Sequence, residues 1–94
     1  MPEKRIHILI TGSVQGVGFR YFIYQLGINL GLRGWVRNKL NGQVEILAEG
    51  SGDKLEVILK DARSGPPMAQ IVDVNVEWLE FQNNLPPFTI FHSV

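Results

Sequence analysis

The chain contains no cysteine. That excludes a disulfide framework, a thiolate nucleophile and every cysteine-containing metal or iron-sulfur site, and leaves no thiol from which to read a redox compartment. Net charge is also missing: nine Lys and Arg balance nine Asp and Glu, so no overall positive field favours nucleic acid or an anionic membrane. A local anion site remains compatible with this balance. The run Ile6-His7-Ile8-Leu9-Ile10 follows a polar start and falls far short of the roughly 20 apolar residues that a membrane-spanning helix needs. With no signal-type cleavage region either, the sequence reads as a soluble, cytoplasmic protein. No fixed-period repeat, low-complexity tract or linker interrupts it, and 94 residues suit a single domain over 1–94.

Hydropathy patterning divides the chain into seven elements. Ile6, Ile8 and Ile10 put a first strand over Arg5 to Thr11, ending at Gly12. Phe19, Phe22, Ile23, Leu26 and Leu30 recur at helical spacing and predict a helix of about three turns, stopped by Gly31 or Gly34. Gly27 weakens that helix and calls for close packing against the sheet. Strands at Trp35 to Lys39 and Gln43 to Glu49 flank Asn41-Gly42, a hairpin signal in which both turn residues tolerate positive φ. Asp53 and Glu56 have the spacing of a capping box before the stripe Leu55, Ile58, Leu59 and Ala62, and Gly65-Pro66-Pro67 ends that second helix. Val72, Val74, Val76 and Trp78 alternate with polar residues as a strand, and Phe88 to Phe91 forms a short last strand at an edge behind Pro86-Pro87. The economical packing is an α+β split βαβ sandwich: an antiparallel sheet with two helices on one face and a short terminal strand.

The segment between the first strand and the first helix carries the chemistry. In Gly12-Ser13-Val14-Gln15-Gly16-Val17-Gly18-Phe19-Arg20, glycines let successive amides curl inward beside a helix N-terminus, and Arg20 adds a planar fork matched to phosphate oxygens. An anion nest and an ordinary tight turn before a surface arginine both fit these residues. A nucleotide P-loop does not, because the Gly-Lys-Ser/Thr ending is absent, and the spacing is wrong for a dinucleotide fingerprint.

Val14-Gln15-Gly16-Val17-Gly18-Phe19-Arg20 resembles the characteristic loop of acylphosphatases, and Gly34-Trp35-Val36-Arg37-Asn38 resembles that family's second motif. Similarity continues through Gly42, Val44 to Gly50 and Gly65-Pro66-Pro67, so it covers nearly the whole chain. The resemblance implies a ferredoxin-like fold and hydrolysis of the carboxyl-phosphate bond of acyl phosphates with no metal and no cofactor. It also implies the site. Arg20 corresponds to the phosphate-binding arginine, Asn38 to the water-positioning asparagine, and the backbone amides of Gln15, Gly16, Val17, Gly18 and Phe19 to the phosphate cradle. Ser13 and the arginine-free ending Phe88-Thr89-Ile90-Phe91-His92 depart from the family pattern, the second bearing on terminal packing more than on chemistry.

Competing readings attach to several residues. Asn38 also suits a hairpin asparagine that satisfies local backbone groups. Arg37 and Lys39 suit a solvated strand face, and Arg37 should point away from Asn38. His7 and His92 read as structural, and Asp73 with Glu77 is no paired-carboxylate site by spacing alone. Trp35 reads as packing, or else as a border of the substrate entrance. The expected protein is a monomer acting on a small acyl phosphate, with no nucleic-acid or membrane partner. A catalytically silent anion-binding or protein-interaction module is the alternative.

Overall fold

The computed structural model describes residues 2–94. Its elements are β1 (Glu3–Ser13), α1 (Phe19–Asn29), β2 (Arg33–Asn38), β3 (Val44–Ser51), α2 (Gly52–Ser64), β4 (Gln70–Leu79) and β5 (Thr89–Ile90). They follow the predicted order. One five-stranded sheet has the spatial order β4-β1-β3-β2-β5, and both helices cover one of its faces in a ferredoxin-like arrangement. Pairings among the four long strands are antiparallel, whereas β5 runs parallel to β2 at the edge, so the sheet is mixed.

The period-two pattern explains which face is buried. Ile6, Ile8 and Ile10 of β1 lie opposite Ala48, Ile46 and Val44 of β3, and all six are fully buried under the helices. α1 contributes Phe19 and Ile23, and α2 contributes Leu55, Ile58, Leu59 and Ala62. Burial of such side chains stabilises a fold by roughly 1.5 to 3 kcal/mol each.

Four local expectations are corrected. Gly27 is buried as expected for close packing, but its neighbour is Phe88 rather than a sheet strand: a Cβ there would lie 2.4 Å from the ring. Asp53 and Glu56 form no capping box; α2 starts directly out of β3 with Ser51 as N-cap and no side-chain cap bond, leaving Asp53 to face the helix dipole from the first turn. At the hairpin only Gly42 takes positive φ, and Asn41 instead accepts the Gln43 amide proton through Oδ1 at 3.0 Å. The alternation of β4 breaks at a bulge opposite Thr11 and Gly12, which leaves Val72 unpaired and 79% exposed while Ile71 turns toward the core.

β4 and β5 lie at opposite edges, so residues 80–88 must cross the end of the sheet. Glu49 anchors that crossing. Its carboxylate, 1% exposed, accepts the backbone N–H groups of Gln82 at 2.7 Å and Asn83 at 3.1 Å, together with Arg5 Nη1 at 3.1 Å. Arg5 Nη1 also donates to Asn84 Oδ1 at 2.9 Å, and Arg33 Nε reaches the Leu85 carbonyl at 2.7 Å. The crossing therefore delivers β5 beside β2. Beyond it, the arginine-free ending stays packed: Phe91 stacks on Trp35 with ring centroids 5.6 Å apart, and the Phe91 and Val94 amides donate to the carbonyls of Val36 and Asn38.

Candidate active site

β1 ends at Ser13, Val14 is buried in the core, and the chain then turns through two left-handed glycines, Gly16 at φ 75° and Gly18 at φ 80°. A Cβ at either would meet nothing within 4 Å, so the backbone angle rather than space selects glycine here. Alternation of such angles turns consecutive N–H groups toward a common point. Gly18 is also the N-cap of α1, with no side-chain cap and no acidic residue in the first turn. The positive end of the helix dipole is therefore not neutralised locally.

Arg20 lies in that first turn, half-buried and in no ion pair with another described residue. Across from it, β2 ends at Asn38, whose Oδ1 is buried without a hydrogen-bond partner. Both line one pocket of about 270 Å³ with Val14, Gly16, Gly18, Phe19, Tyr21 and Ile90. A buried carboxamide oxygen left without a partner costs free energy unless water or a ligand meets it.

The side chains of Gln15 and Val17 are engaged outside the pocket, leaving their backbone amides as the only groups they can offer it. Val17 packs against the core. Gln15 spans to the hairpin, where Nε2 donates to the carbonyls of Lys39 at 2.7 Å and Gln43 at 2.9 Å, and Gln43 Nε2 donates in turn to Thr11 Oγ1 at 3.0 Å. The glycine loop and the turn after Asn38 are thus tied together. Tyr21 and Ile90 went unnoticed in the sequence, since an exposed helix residue and an edge-strand isoleucine carry no motif.

Arg37 points to the other sheet face, as strand geometry requires. Its Nε donates to Glu45 Oε1 at 2.7 Å, and its guanidinium lies 4.4 Å from the centre of the Trp35 ring. Trp35 belongs to this stack and not to the pocket lining, which corrects its reading as an entrance residue. His7 Nε2 lies 2.7 Å from Glu45 Oε2, a structural role. Burial alone would raise the Glu45 pKa, but the hydrogen bonds from His7 and Arg37, with their charges, outweigh it and hold the carboxyl below its ordinary value. Among the described residues no group of three His, Asp or Glu side chains could hold a metal ion, and no helix is long and apolar enough to cross a membrane.

The acylphosphatase family model matches residues 6–90. The chain belongs to the acylphosphatase family. An acylphosphatase of Anaeromyxobacter sp. is 44% identical over 88 residues, which cover 94% of this chain and 95% of that one. The crystal structure of the Bacillus subtilis acylphosphatase superposes with a TM-score of 0.89 at 35% identity, covering 94% of this chain and 98% of the other. Full-length HypF, in its phosphate- and nucleotide-bound form, contains a similar unit: 98% of this chain matches 12% of that one, with TM-score 0.89 and 28% identity. The enzyme hydrolyses the carboxyl-phosphate bond of acyl phosphates to a carboxylate and inorganic phosphate. Membership decides against a catalytically silent module.

Proposed function

We propose that the phosphoryl group of the substrate is held by the Arg20 guanidinium and the backbone amides of Gln15, Gly16, Val17, Gly18 and Phe19, and that Asn38 aligns the attacking water. The observation that carries this reading is that Asn38, whose Oδ1 is buried and unpartnered, lines the same pocket as Arg20 and the glycine turn. Arg20 offers a rigid fork of donors, and the amides together with the dipole of α1 supply fixed positive potential without reorganisation.

Attack follows from that arrangement. Asn38 Oδ1 accepts a hydrogen bond from the water and orients a lone pair of the water oxygen toward phosphorus, opposite the acyl oxygen. As the new O–P bond forms, the bond from phosphorus to the acyl oxygen breaks, and its electron pair leaves with the carboxylate. That anion is stable near neutral pH, so no strong general acid is required. A carboxamide is too weakly basic to take the proton, which passes to a phosphoryl oxygen or to solvent. The substrate is a small acyl phosphate, and the enzyme works as a monomer in the cytoplasm.

The test is steady-state hydrolysis of benzoyl phosphate after exhaustive metal removal, corrected for spontaneous decay. Turnover persists in the wild type, and Arg20→Lys lowers kcat/KM by on the order of a hundredfold, because an ammonium cannot reproduce the bidentate contact. A folded Arg20→Lys enzyme with normal turnover and normal inhibition by inorganic phosphate removes Arg20 from the site.

A further inference from the structure

The polar end of the pocket is accounted for by Arg20, Asn38 and the amide turn; its mouth is not. Two large apolar side chains flank that mouth from different elements: Tyr21, in the first turn of α1, is 62% exposed, and Ile90, in β5, is 39% exposed. Neither belongs to the core or to the partly buried shell around it. An exposed isoleucine or tyrosine alone is ordinary surface, but here two of them border a concave site whose remaining wall, Val14 and Phe19, is apolar as well.

We propose that Tyr21 and Ile90 form a subsite for the acyl group and give the enzyme a preference for acyl phosphates with an aromatic or bulky aliphatic acyl portion. The inference rests on the phosphoryl group lying against Arg20 and the glycine turn. With that end fixed, the carbon skeleton must leave by the mouth, between the two side chains. No lysine or arginine other than Arg20 lines the pocket, so a distal carboxylate or phosphate on the acyl group gains no ion pair there. An apolar group covers Tyr21 and Ile90 and removes their exposed surface from water. Remote contact of this kind discriminates by modest factors, of the order found for one or two buried methylenes.

The experiment compares kcat/KM for benzoyl phosphate with that for acetyl phosphate in the wild type, Tyr21→Ala, Tyr21→Phe, Ile90→Ser and Ile90→Val. The wild type favours benzoyl phosphate, and the ratio of the two constants falls roughly fivefold to tenfold in Tyr21→Ala and in Ile90→Ser through a higher KM for benzoyl phosphate. Tyr21→Phe and Ile90→Val keep most of the preference. Inorganic phosphate inhibition is measured on every variant to report the phosphoryl end separately. If phosphate inhibits normally and both substrates turn over, yet the ratio stays unchanged in Tyr21→Ala and Ile90→Ser, the acyl subsite is wrong while the phosphate site stands. If phosphate fails to inhibit the wild type, both readings fall. Tyr21→Ala decides the matter if Ile90→Ser disturbs β5, since Tyr21 is an exposed helix residue and alanine favours a helix.

Discussion

The side-chain amide of Gln15 donates to the carbonyl oxygen of Lys39 across 2.7 Å, with a second bond to Gln43 at 2.9 Å. Two segments far apart in sequence, the glycine turn and the hairpin after Asn38, are held at fixed separation by this one carboxamide. Gln15→Leu removes both bonds and leaves the two carbonyls without that donor. Each is worth about 1 kcal/mol, so the expected outcome is a loss of about 2 kcal/mol in chemical denaturation together with a lower kcat. Unchanged kcat in the folded variant would mean that the tie serves the fold alone.

Asn38→Ala is expected to remove water alignment and leave the phosphate cradle intact. Its Oδ1 has no protein partner to lose, so the substitution strands no buried donor. By comparison with the loss of one positioned transition-state hydrogen bond, turnover falls roughly a hundredfold, about 3 kcal/mol, with little change in inhibition by phosphate. Turnover, phosphate inhibition and circular dichroism on one preparation check this. Near-normal turnover, where chemistry limits the rate, excludes Asn38 as the water-positioning group.

Glu49→Gln tests the anchor of the crossing segment. An amide has a single acceptor oxygen and presents its NH2 to groups that are themselves donors: the Gln82 and Asn83 amides and Arg5. It also leaves the Arg5 guanidinium, largely buried, without its counter-ion. Breaking a buried pair costs about 3 kcal/mol, which for a domain of this size lowers Tm by about 12 °C or more. A Tm within two or three degrees of wild type, an approximate margin set by the same scaling, contradicts the anchoring role.

Acid stability depends on Glu45. Its folded pKa is lowered, so its ionised form stabilises the fold above the unfolded carboxylate value near 4.5, and that contribution disappears as pH falls below it through the folded pKa. Wild type and Glu45→Gln are therefore expected to differ most in stability at neutral pH and to converge under acid. Urea denaturation at a series of pH values measures this. A gap that stays constant from neutral to strongly acidic pH argues that packing, not ionisation, accounts for the difference.

The core faces of β1 and β3 were legible because Ile6, Ile8, Ile10, Val44, Ile46 and Ala48 alternate strictly and one sheet face is covered. The glycine turn by itself suited an anion nest and an ordinary tight turn alike, and only its combination with Gly34-Trp35-Val36-Arg37-Asn38 singled out the acylphosphatase pattern. What stayed hidden depends on partners distant in sequence. The exposure of Val72 follows from a bulge set by the register with β1. The burial of Glu45 and Glu49 depends on which parts of the second sheet face become covered, and alternation assigns faces without saying what lies over them. Asp53 and Glu56 satisfied the capping-box spacing, but the helix begins straight out of β3, so Ser51 took the N-cap position.

The pocket draws its walls from Val14, Gly16 and Gly18 to Tyr21, from Asn38 and from Ile90, and the strand order brings these together because β5 lies at the edge beside β2. Such sequence-distant pairing slows folding relative to a helical bundle of similar size. A chain that has already formed its glycine turn and α1 still has an open-sided site until that last strand docks. A species in which β5 is undocked lacks the Ile90 wall and meets the acyl phosphates around it with a half-built site.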